Sequence, residues 1–222
     1  MQYLIHIDRQ LLKYAYQGRF IHVFPEKWLI FMGDGPFWMI VVFIAALTGQ
    51  FLNIVSFNEV AVQLMLGLTI GQVVFALLKT NVRRRRPYAN LELQQELQIE
   101  IQNRDPGHGS KEFESFPSGH VYWTTICVSI ICFQYGLIAV LLFGWMIPTM
   151  LYLRPHLGVH YPSDALAGLV LGGIIVVATL LAAQVILDFI SVYQKQAIYL
   201  IGYWTFISVF LIVGYMSWRK RV

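Results

Sequence analysis

The sequence predicts an all-α integral membrane protein, folded as one bundle of about six transmembrane helices. The chain has 222 residues, of which 57% are hydrophobic and 13% charged. Soluble domains average about 45–50% apolar and about 25% charged residues, so the composition argues against a water-soluble globule and, more firmly, against a disordered chain. The second observation is the presence of long apolar stretches, because about 20 apolar residues cross a bilayer as a helix.

Six apolar stretches predict the spans. They cover residues 36–56, 59–78, 120–135, 137–153, 165–188 and 197–217. The third and fourth form one apolar run that is broken near residues 134–136, and both are short for a span. In the fifth, Gly168 and Gly172 lie four residues apart, a spacing typical of close helix packing in membranes. Residues 1–222 are therefore expected to form a single membrane-embedded domain.

Two polar segments lie outside these spans. Residues 1–33 mix apolar and basic positions and are expected to lie on the membrane surface. Residues 79–119 form a long polar loop that contains an amphipathic helix pattern. Its apolar positions are Leu93, Leu97 and Ile101, and its acidic positions are Glu92, Glu96 and Glu100. Such a helix is either a solvated surface helix or a lid over a membrane-facing site.

The basic residues are strongly asymmetric. Six spans place both termini, the 79–119 loop and the 154–163 loop on one face, which then carries every Lys and Arg except Lys195. The positive-inside rule assigns such a face to the cytoplasm. The net charge of +4 does not predict a nucleic-acid partner, because basic residues in a hydrophobic chain usually lie at membrane edges.

Two clusters on this face suit the binding of a phosphate group. Lys79 and Arg86 follow the second span and supply positive charges and N–H donors that match phosphate oxygens. Ser118 and Gly119 precede the third span, and the N-terminus of a helix presents free N–H groups and a partial positive charge. Taken alone, the four arginines at 83–86 are more typical of a lipid-headgroup anchor.

A third cluster, residues 153–164, suits nucleophilic chemistry. Asp164 begins a helix four residues after His160. A carboxylate at that position can orient the imidazole and leave its other nitrogen free to attack. His120 is a second histidine that can act as general acid. The alternative is a metal site formed by His156, His160 and Asp164, but the prolines and the glycine between them argue against one helix face.

Together, the three clusters resemble the signature of the type 2 phosphatidic acid phosphatase superfamily, which includes the vanadium haloperoxidases. Its pattern reads Lys-x6-Arg-Pro, then Pro-Ser-Gly-His, then Ser-Arg-x5-His-x3-Asp. The matching positions here are Lys79, Arg86, Pro87, residues 117–120, Arg154, His160 and Asp164. The one departure is Leu153, where the family usually has Ser.

The resemblance implies metal-independent hydrolysis with no cofactor. His160 would attack phosphorus and form a phosphohistidine, Asp164 would orient His160, and His120 would protonate the leaving group and later activate water. The phosphate oxygens would be held by Lys79, Arg86, Arg154, Ser118 and the Gly119 amide. Arg83, Arg84 and Arg85 fall outside the matched positions, and we hypothesise that they attract anionic lipid headgroups.

The predicted function is a membrane lipid-phosphate phosphatase whose partner is a phospholipid or prenyl-phosphate substrate in the bilayer. The family substrates are phosphatidic acid, phosphatidylglycerol phosphate, undecaprenyl diphosphate and lipid A phosphates. The alternatives are a lipid phosphotransferase with the same intermediate, and a non-catalytic protein that binds or transports lipid phosphates. The resemblance suggests a bacterial inner membrane with a periplasmic site, whereas the charge asymmetry favours the cytoplasmic face, and both placements stay open.

Overall fold

The computed structural model describes residues 2–18, 25–105, 112–193 and 197–219, and this part of the chain folds into helices joined by short connections. The helices are α1 (Gln2–Gln17), α2 (Glu26–Gly33), α3 (Gly35–Phe51), α4 (Val55–Asn81), α5 (Leu91–Leu97), α6 (Gly119–Tyr135), α7 (Leu137–Phe143), α8 (Met146–His156), α9 (Pro162–Tyr193) and α10 (Ala197–Arg219). A single 3-10 turn, Pro87–Ala89, precedes α5. The predicted all-α class is confirmed.

Several of these helices suit a membrane protein. Three described stretches are long and apolar enough to cross a bilayer: Val55–Asn81, Leu137–His156 and Pro162–Asp188. A fourth results if α2 and α3, which meet at an angle of 68°, form one bent span. In α10 the apolar stretch is shorter, Leu200–Met216. Each predicted span lies largely on a helix, and α7 and α8 together form the predicted fourth span. Three or four of the described helices have the length and hydropathy of a membrane span.

Two connections define the ends of the predicted spans. The first predicted span is too long at its C-terminal end, because α3 ends at Phe51. Asn53 in the following turn has φ of 55°, a left-handed conformation that Asn tolerates better than most residues. The predicted break near residues 134–136 is confirmed at Gly136, whose φ of 63° ends α6.

The centre of the bundle is formed by α4, α6 and α9, which pack against one another. The predicted close packing at two glycines of α9 is confirmed. A Cβ at Gly168 would lie 2.8 Å from the carbonyl oxygen of Ser118, and one at Gly172 would lie 2.9 Å from Cβ of Thr125. The start of α9 therefore lies directly against the start of α6, which brings the second and third clusters together.

Apolar side chains also cover the outside of the bundle. On α9, Val170, Ile174, Val177 and Leu181 are all more than half exposed. Contiguous exposed apolar surface is rare on soluble monomers and suits contact with lipid.

The polar end of the bundle is covered by α1 and α5. Helix α1 packs against α5, α8 and α9. The three predicted apolar positions, Leu93, Leu97 and Ile101, are buried against Leu12 and Tyr16 of α1. The three glutamates of the pattern are exposed. The helix is one turn shorter than the pattern predicts, because Gln98 adopts a left-handed conformation with φ of 53°.

Candidate active site

Two polar segments run side by side where α4 ends and α6 begins, and they bring the first two clusters together. Arg84 and Glu114 form a β-bridge, and the amide of Ser115 donates to the carbonyl of Arg84 across 3.0 Å. The backbone is extended at both Val82 and Arg86. In an extended segment, successive side chains point to opposite sides.

The side chains of the four consecutive arginines therefore alternate between the solvent side and the protein side of the segment. Arg83 and Arg85 are exposed, Arg84 is half buried, and Arg86 is buried. The hypothesis that Arg83, Arg84 and Arg85 all attract lipid headgroups is wrong for Arg84. Its guanidinium donates to the carboxylate of Asp164 across 2.7 Å and so faces the interior of the protein.

The predicted phosphate-binding cations converge on one place from different elements. Nζ of Lys79, in the last turn of α4, donates to the carbonyl of Glu114 across 2.6 Å. Arg86 is 3% exposed. Burial and the positive charge of Arg154 lower the pKa of Arg86 to about 10, so the guanidinium stays charged at neutral pH. Such packing of like charges is costly unless an anion compensates it.

Ser118 and Gly119 open α6 against this cluster of cations. The side chain of Ser118 is fully buried, and its Oγ has no hydrogen-bond partner among the described residues. Its amide donates to the carbonyl of Asp164 across 3.0 Å. A Cβ at Gly119 would lie 3.1 Å from Cζ of Phe75, so only glycine fits easily there. The N–H groups in the first turn of α6 have no helical acceptor and are suited to an oxyanion.

Arg154 is the most deeply buried cation of the site. It is 0% exposed, and its Nη2 donates to Oδ2 of Asp105 across 2.8 Å. Nε and Nη1 of Arg154 have no hydrogen-bond partner in the described parts of the chain. Leu153, the departure from the family pattern, is fully buried among apolar residues that include Leu29 and Met150. An apolar side chain therefore fits that position.

His160 is buried at the centre of these groups. Its Nδ1 donates to the main-chain oxygen of Ser115 across 2.6 Å, and the ring is 2% exposed. A carbonyl can only accept, so the neutral imidazole carries its proton on Nδ1 and keeps a lone pair on Nε2. Burial lowers the pKa of His160 well below its usual value, and the charges of Arg86, Arg154 and Lys79 lower it further. The neutral, nucleophilic form is thus favoured.

Asp164 acts on His160 less directly than the spacing predicts. Oδ2 of Asp164 lies 3.9 Å from Nδ1 of His160, beyond hydrogen-bond distance. Instead, Oδ2 accepts from the hydroxyl of Ser115 (2.5 Å) and from the amide of Tyr161 (3.0 Å). Its other oxygen, Oδ1, accepts from Arg84. The imidazole was expected to donate a hydrogen bond to this carboxylate, but it donates to a backbone carbonyl instead. Ser115 links the two residues.

His120 is held by the bend between α2 and α3. Its Nε2 lies 3.2 Å from Oδ1 of Asp34, the residue at the bend. A Cβ at Gly33 would lie 2.6 Å from Cδ2 of His120, so the backbone of α2 contacts the ring. The ring is 4% exposed. A carboxylate at this distance suits a histidine that exchanges protons.

The described residues contain no group of three or more His, Cys, Asp or Glu side chains that could hold a metal ion. Among the three residues of the alternative metal site, His156 has a different partner from the other two. Nδ1 of His156 contacts the carbonyl of Ala15 across 2.9 Å, whereas His160 and Asp164 bond to Ser115. The helix ends at His156, and Gly158 has φ of 74°, so the predicted interruption of the helix is confirmed.

Four polar residues of this site carry no signal in the sequence. Asp8 contacts Arg84, and Asp34 contacts His120. Asp105 contacts Arg154, and Ser115 contacts His160. Only Ser115 lies near a motif in the chain, two residues before Pro117. The other three are distant in sequence from the residues they contact, so local patterns could not have revealed them.

Comparisons with known proteins agree with this arrangement. The family model described as the PAP2 superfamily matches residues 60–188, which contain all three clusters. Among solved structures, LpxE of Aquifex aeolicus is similar in fold, with a TM-score of 0.58 at 22% sequence identity. The likeness covers 77% of this chain and 93% of that one. No curated protein matches this chain.

Proposed function

This chain belongs to the PAP2 superfamily, and on that premise we propose that it is a membrane lipid-phosphate phosphatase that works through a phosphohistidine. The reaction would hydrolyse a phosphomonoester or diphosphate headgroup and release inorganic phosphate. No metal ion or cofactor enters the proposed chemistry.

One observation carries the proposal: His160 is buried with its Nδ1 bonded to a carbonyl, among buried donors that have no hydrogen-bond partner in the described parts of the chain. Nε and Nη1 of Arg154 and Oγ of Ser118 are buried without hydrogen-bond partners among the described residues. Buried donors are normally satisfied, because an unmade hydrogen bond costs about 1–3 kcal/mol. A tetrahedral oxyanion has enough acceptor oxygens to satisfy all three atoms.

In the first step, the lone pair on Nε2 of His160 attacks phosphorus. A P–N bond forms and the P–O bond to the lipid breaks. The electron pair of that bond stays on the leaving oxygen, which takes a proton from His120. Lys79, Arg86 and Arg154 balance the negative charge that the transferring phosphoryl group spreads over its oxygens.

In the second step, the phosphohistidine is hydrolysed. His120, now neutral, accepts a proton from a water molecule while the water oxygen bonds to phosphorus. The P–N bond breaks, its electron pair returns to Nε2, and inorganic phosphate leaves. The Ser115 carbonyl holds the Nδ1 proton throughout, which keeps the same ring nitrogen available for each turnover.

The proposed substrates are lipids, because the site lies at the polar end of a bundle with apolar outer faces. A headgroup can reach His160 from that end while its tail stays in the bilayer. We propose the class that contains phosphatidic acid, phosphatidylglycerol phosphate and undecaprenyl diphosphate. Membership of the PAP2 superfamily supports this class, and the tail is to be identified by experiment.

The test is phosphate release by the purified full-length chain in detergent, with EDTA present and a panel of these three lipids. We expect turnover of at least one lipid and its loss in His160→Ala. His156→Gln is the matched control, since His156 is a buried histidine in the same segment whose ring faces Ala15 instead. This control is expected to keep most of the activity.

Quenching the reaction in base traps the intermediate, because phosphohistidine is stable to alkali and labile to acid. Labelled phosphate should remain on the wild-type protein and be absent from His160→Ala. Turnover that EDTA abolishes, or that survives His160→Ala, would contradict the mechanism. Phosphate transfer only in the presence of a second lipid would favour the phosphotransferase.

A further inference from the structure

Arg84 is bound on three sides at the edge of the site. Its Nη1 donates to Oδ1 of Asp164 and to Oγ of Ser163, each across 2.7 Å. Its Nη2 donates to Oδ2 of Asp8 across 2.8 Å. The guanidinium also stacks on the ring of Tyr161, with Cζ 3.9 Å from the ring centroid. An arginine held in this way has one orientation, which suits it to fix the position of a partner.

Asp8 connects this arrangement to the N-terminal helix α1. Its Oδ1 accepts from the amide of Ser163 (2.8 Å), and its Oδ2 accepts from the hydroxyl of the same residue (2.6 Å). Ser163 lies in the first turn of α9, where backbone N–H groups have no helical acceptor. The side chain of Asp8 thus caps the helix that carries Asp164, although the two residues lie far apart in the chain.

The contacts form a continuous series that ends at the nucleophile. Asp8 holds Arg84, Arg84 holds Oδ1 of Asp164, and Oδ2 of Asp164 accepts from the hydroxyl of Ser115. The carbonyl of Ser115 then accepts the Nδ1 proton of His160. With Oδ1 bonded to Arg84, the carboxylate of Asp164 is directed toward Ser115 and away from the imidazole.

We propose that Arg84 and Asp8 are positioning residues for the phosphatase reaction, through which helix α1 completes the active site. The proposal rests on the proposed function. In this proposal Arg84 is not a lipid anchor. Arg84 keeps Asp164 bonded to Ser115, so that the His160 ring stays in one orientation. Without Arg84, Oδ1 of Asp164 loses the cation that holds it. The carboxylate is then held at Oδ2 alone, and its buried negative charge near His160 loses its ion pair with Arg84.

The experiment compares steady-state kinetics of full-length variants on phosphatidic acid in detergent micelles. Arg84→Met keeps most of the side-chain volume and removes the charge, whereas Arg84→Lys keeps the charge and loses the planar fork. We expect Arg84→Met to lower kcat by about 10- to 100-fold with KM changed less than about threefold, as for a residue that orients the catalytic groups. Arg84→Lys is expected to recover part of the loss.

Variants in α1 distinguish a specific role of Asp8 from a general loss of contacts between α1 and the rest of the protein. Asp8→Ala is expected to lower kcat by about three- to tenfold, and Asp8→Ala combined with Arg84→Met to lose no more than Arg84→Met alone. The matched control is Arg9→Met, at the next residue of α1, which removes the ion pair to Glu96 on α5. That variant is expected to stay within about twofold of wild type.

The pH dependence of kcat/KM distinguishes a positioning role from a purely structural one, because a purely structural role would leave the pH profile unshifted. The charged groups around His160 are Lys79 of α4, Arg86 of the extended segment, Arg154 of α8 and Asp164 of α9, with His120 at the start of α6. Loss of Arg84 leaves the negative charge of Asp164 uncompensated, and a negative charge favours protonation of His160. The acid limb should therefore move to higher pH in Arg84→Met, whereas a partly unfolded preparation only lowers the whole curve.

The outcomes distinguish this proposal from the proposed function. Turnover that survives His160→Ala overturns the function and the positioning role together. Loss of turnover in His160→Ala with unchanged kcat and pH profile in Arg84→Met overturns the positioning role alone. A rise in KM at constant kcat in Arg84→Met also overturns it, because Arg84 would then bind substrate. If Arg84→Met does not fold, Asp8→Ala decides by kcat and KM: an unchanged kcat, or a rise in KM at constant kcat, overturns the positioning role.

Discussion

Nδ1 of His160 donates to the main-chain oxygen of Ser115 across 2.6 Å, and this bond orients the imidazole. The hydroxyl of the same serine donates to Asp164 across 2.5 Å. Ser115 therefore lies between the histidine and the carboxylate that the resemblance pairs directly. The carboxylate supports the histidine through the serine, and the backbone carbonyl determines which ring nitrogen carries the proton.

Removing the Ser115 hydroxyl should impair catalysis while leaving the carbonyl in place. Ser115→Ala is expected to lower kcat by about three- to thirtyfold, because Oδ2 of Asp164 loses the hydroxyl that donates to it and no longer holds the serine. Ser115→Thr, which keeps a hydroxyl, is the control and should retain more activity. Steady-state phosphate release measures both, and an unchanged kcat in Ser115→Ala would contradict the link.

The lowered pKa of His160 predicts how the ring titrates. Burial and the nearby cations disfavour the imidazolium, so His160 should remain neutral as the pH falls through about 6.5, the ordinary value for histidine. The unfolded chain binds this proton first, so folding stability should fall as the pH decreases below about 6.5. The measurement is NMR of ring nitrogens labelled with nitrogen-15, with His160→Gln to assign the signal; protonation near pH 6.5 would refute the prediction.

Vanadate, which resembles phosphate in its transition state, should inhibit by binding at His160 and Arg154. Arg154→Met alone is expected to cost about 3–5 kcal/mol of stability, because it removes the guanidinium that forms an ion pair with the buried carboxylate of Asp105. Arg154→Met with Asp105→Asn should recover stability and still bind vanadate at least about tenfold more weakly than wild type. Calorimetric titration measures the affinity, and full affinity in the double variant would exclude Arg154 from the phosphate site.

Leu153 should matter for stability more than for chemistry. Its side chain is fully buried in an apolar cluster, so Leu153→Ser, which restores the usual family residue, should cost about 2–5 kcal/mol of stability. Leu153→Met is the control with nearly the same volume and should cost less than about 1.5 kcal/mol. Thermal unfolding in detergent tests this, together with kcat; a large gain in kcat for Leu153→Ser would show that the serine has a catalytic role.

For the two exposed arginines, attraction of anionic lipid headgroups stays a prediction. Arg83 and Arg85 point away from the site, and Arg85 lies 5.0 Å from the centroid of the Phe113 ring. Neutralising both should weaken the salt dependence of activity on anionic vesicles, because fewer charges attract the surface. Activity on vesicles of mixed anionic and neutral lipid, measured at low and high salt, gives the comparison. A variant whose activity has the same salt dependence as the wild type would contradict this hypothesis.

The helical spans and the residues of the three clusters could be predicted from the sequence, since both depend on local chemistry. A run of apolar residues between polar ends predicts a membrane helix in any context. The spacing of His160 from Asp164 and the proline and glycine residues around them predict a helix start. The family resemblance rests on these same local patterns, and it was confirmed by the match over residues 60–188.

The tertiary structure alone decided which partner each polar group takes. Asp8 and Ser163 are 155 residues apart, and Arg84 and Asp164 are 80 apart, with no pattern in the chain that relates them. Asp164 could have bonded to His160, four residues away, yet the packing of α9 against α6 and the loop before it offers the Ser115 hydroxyl instead. A carboxylate in a buried site takes the donors that the surrounding helices place within about 3 Å, and only the assembled bundle determines which donors those are.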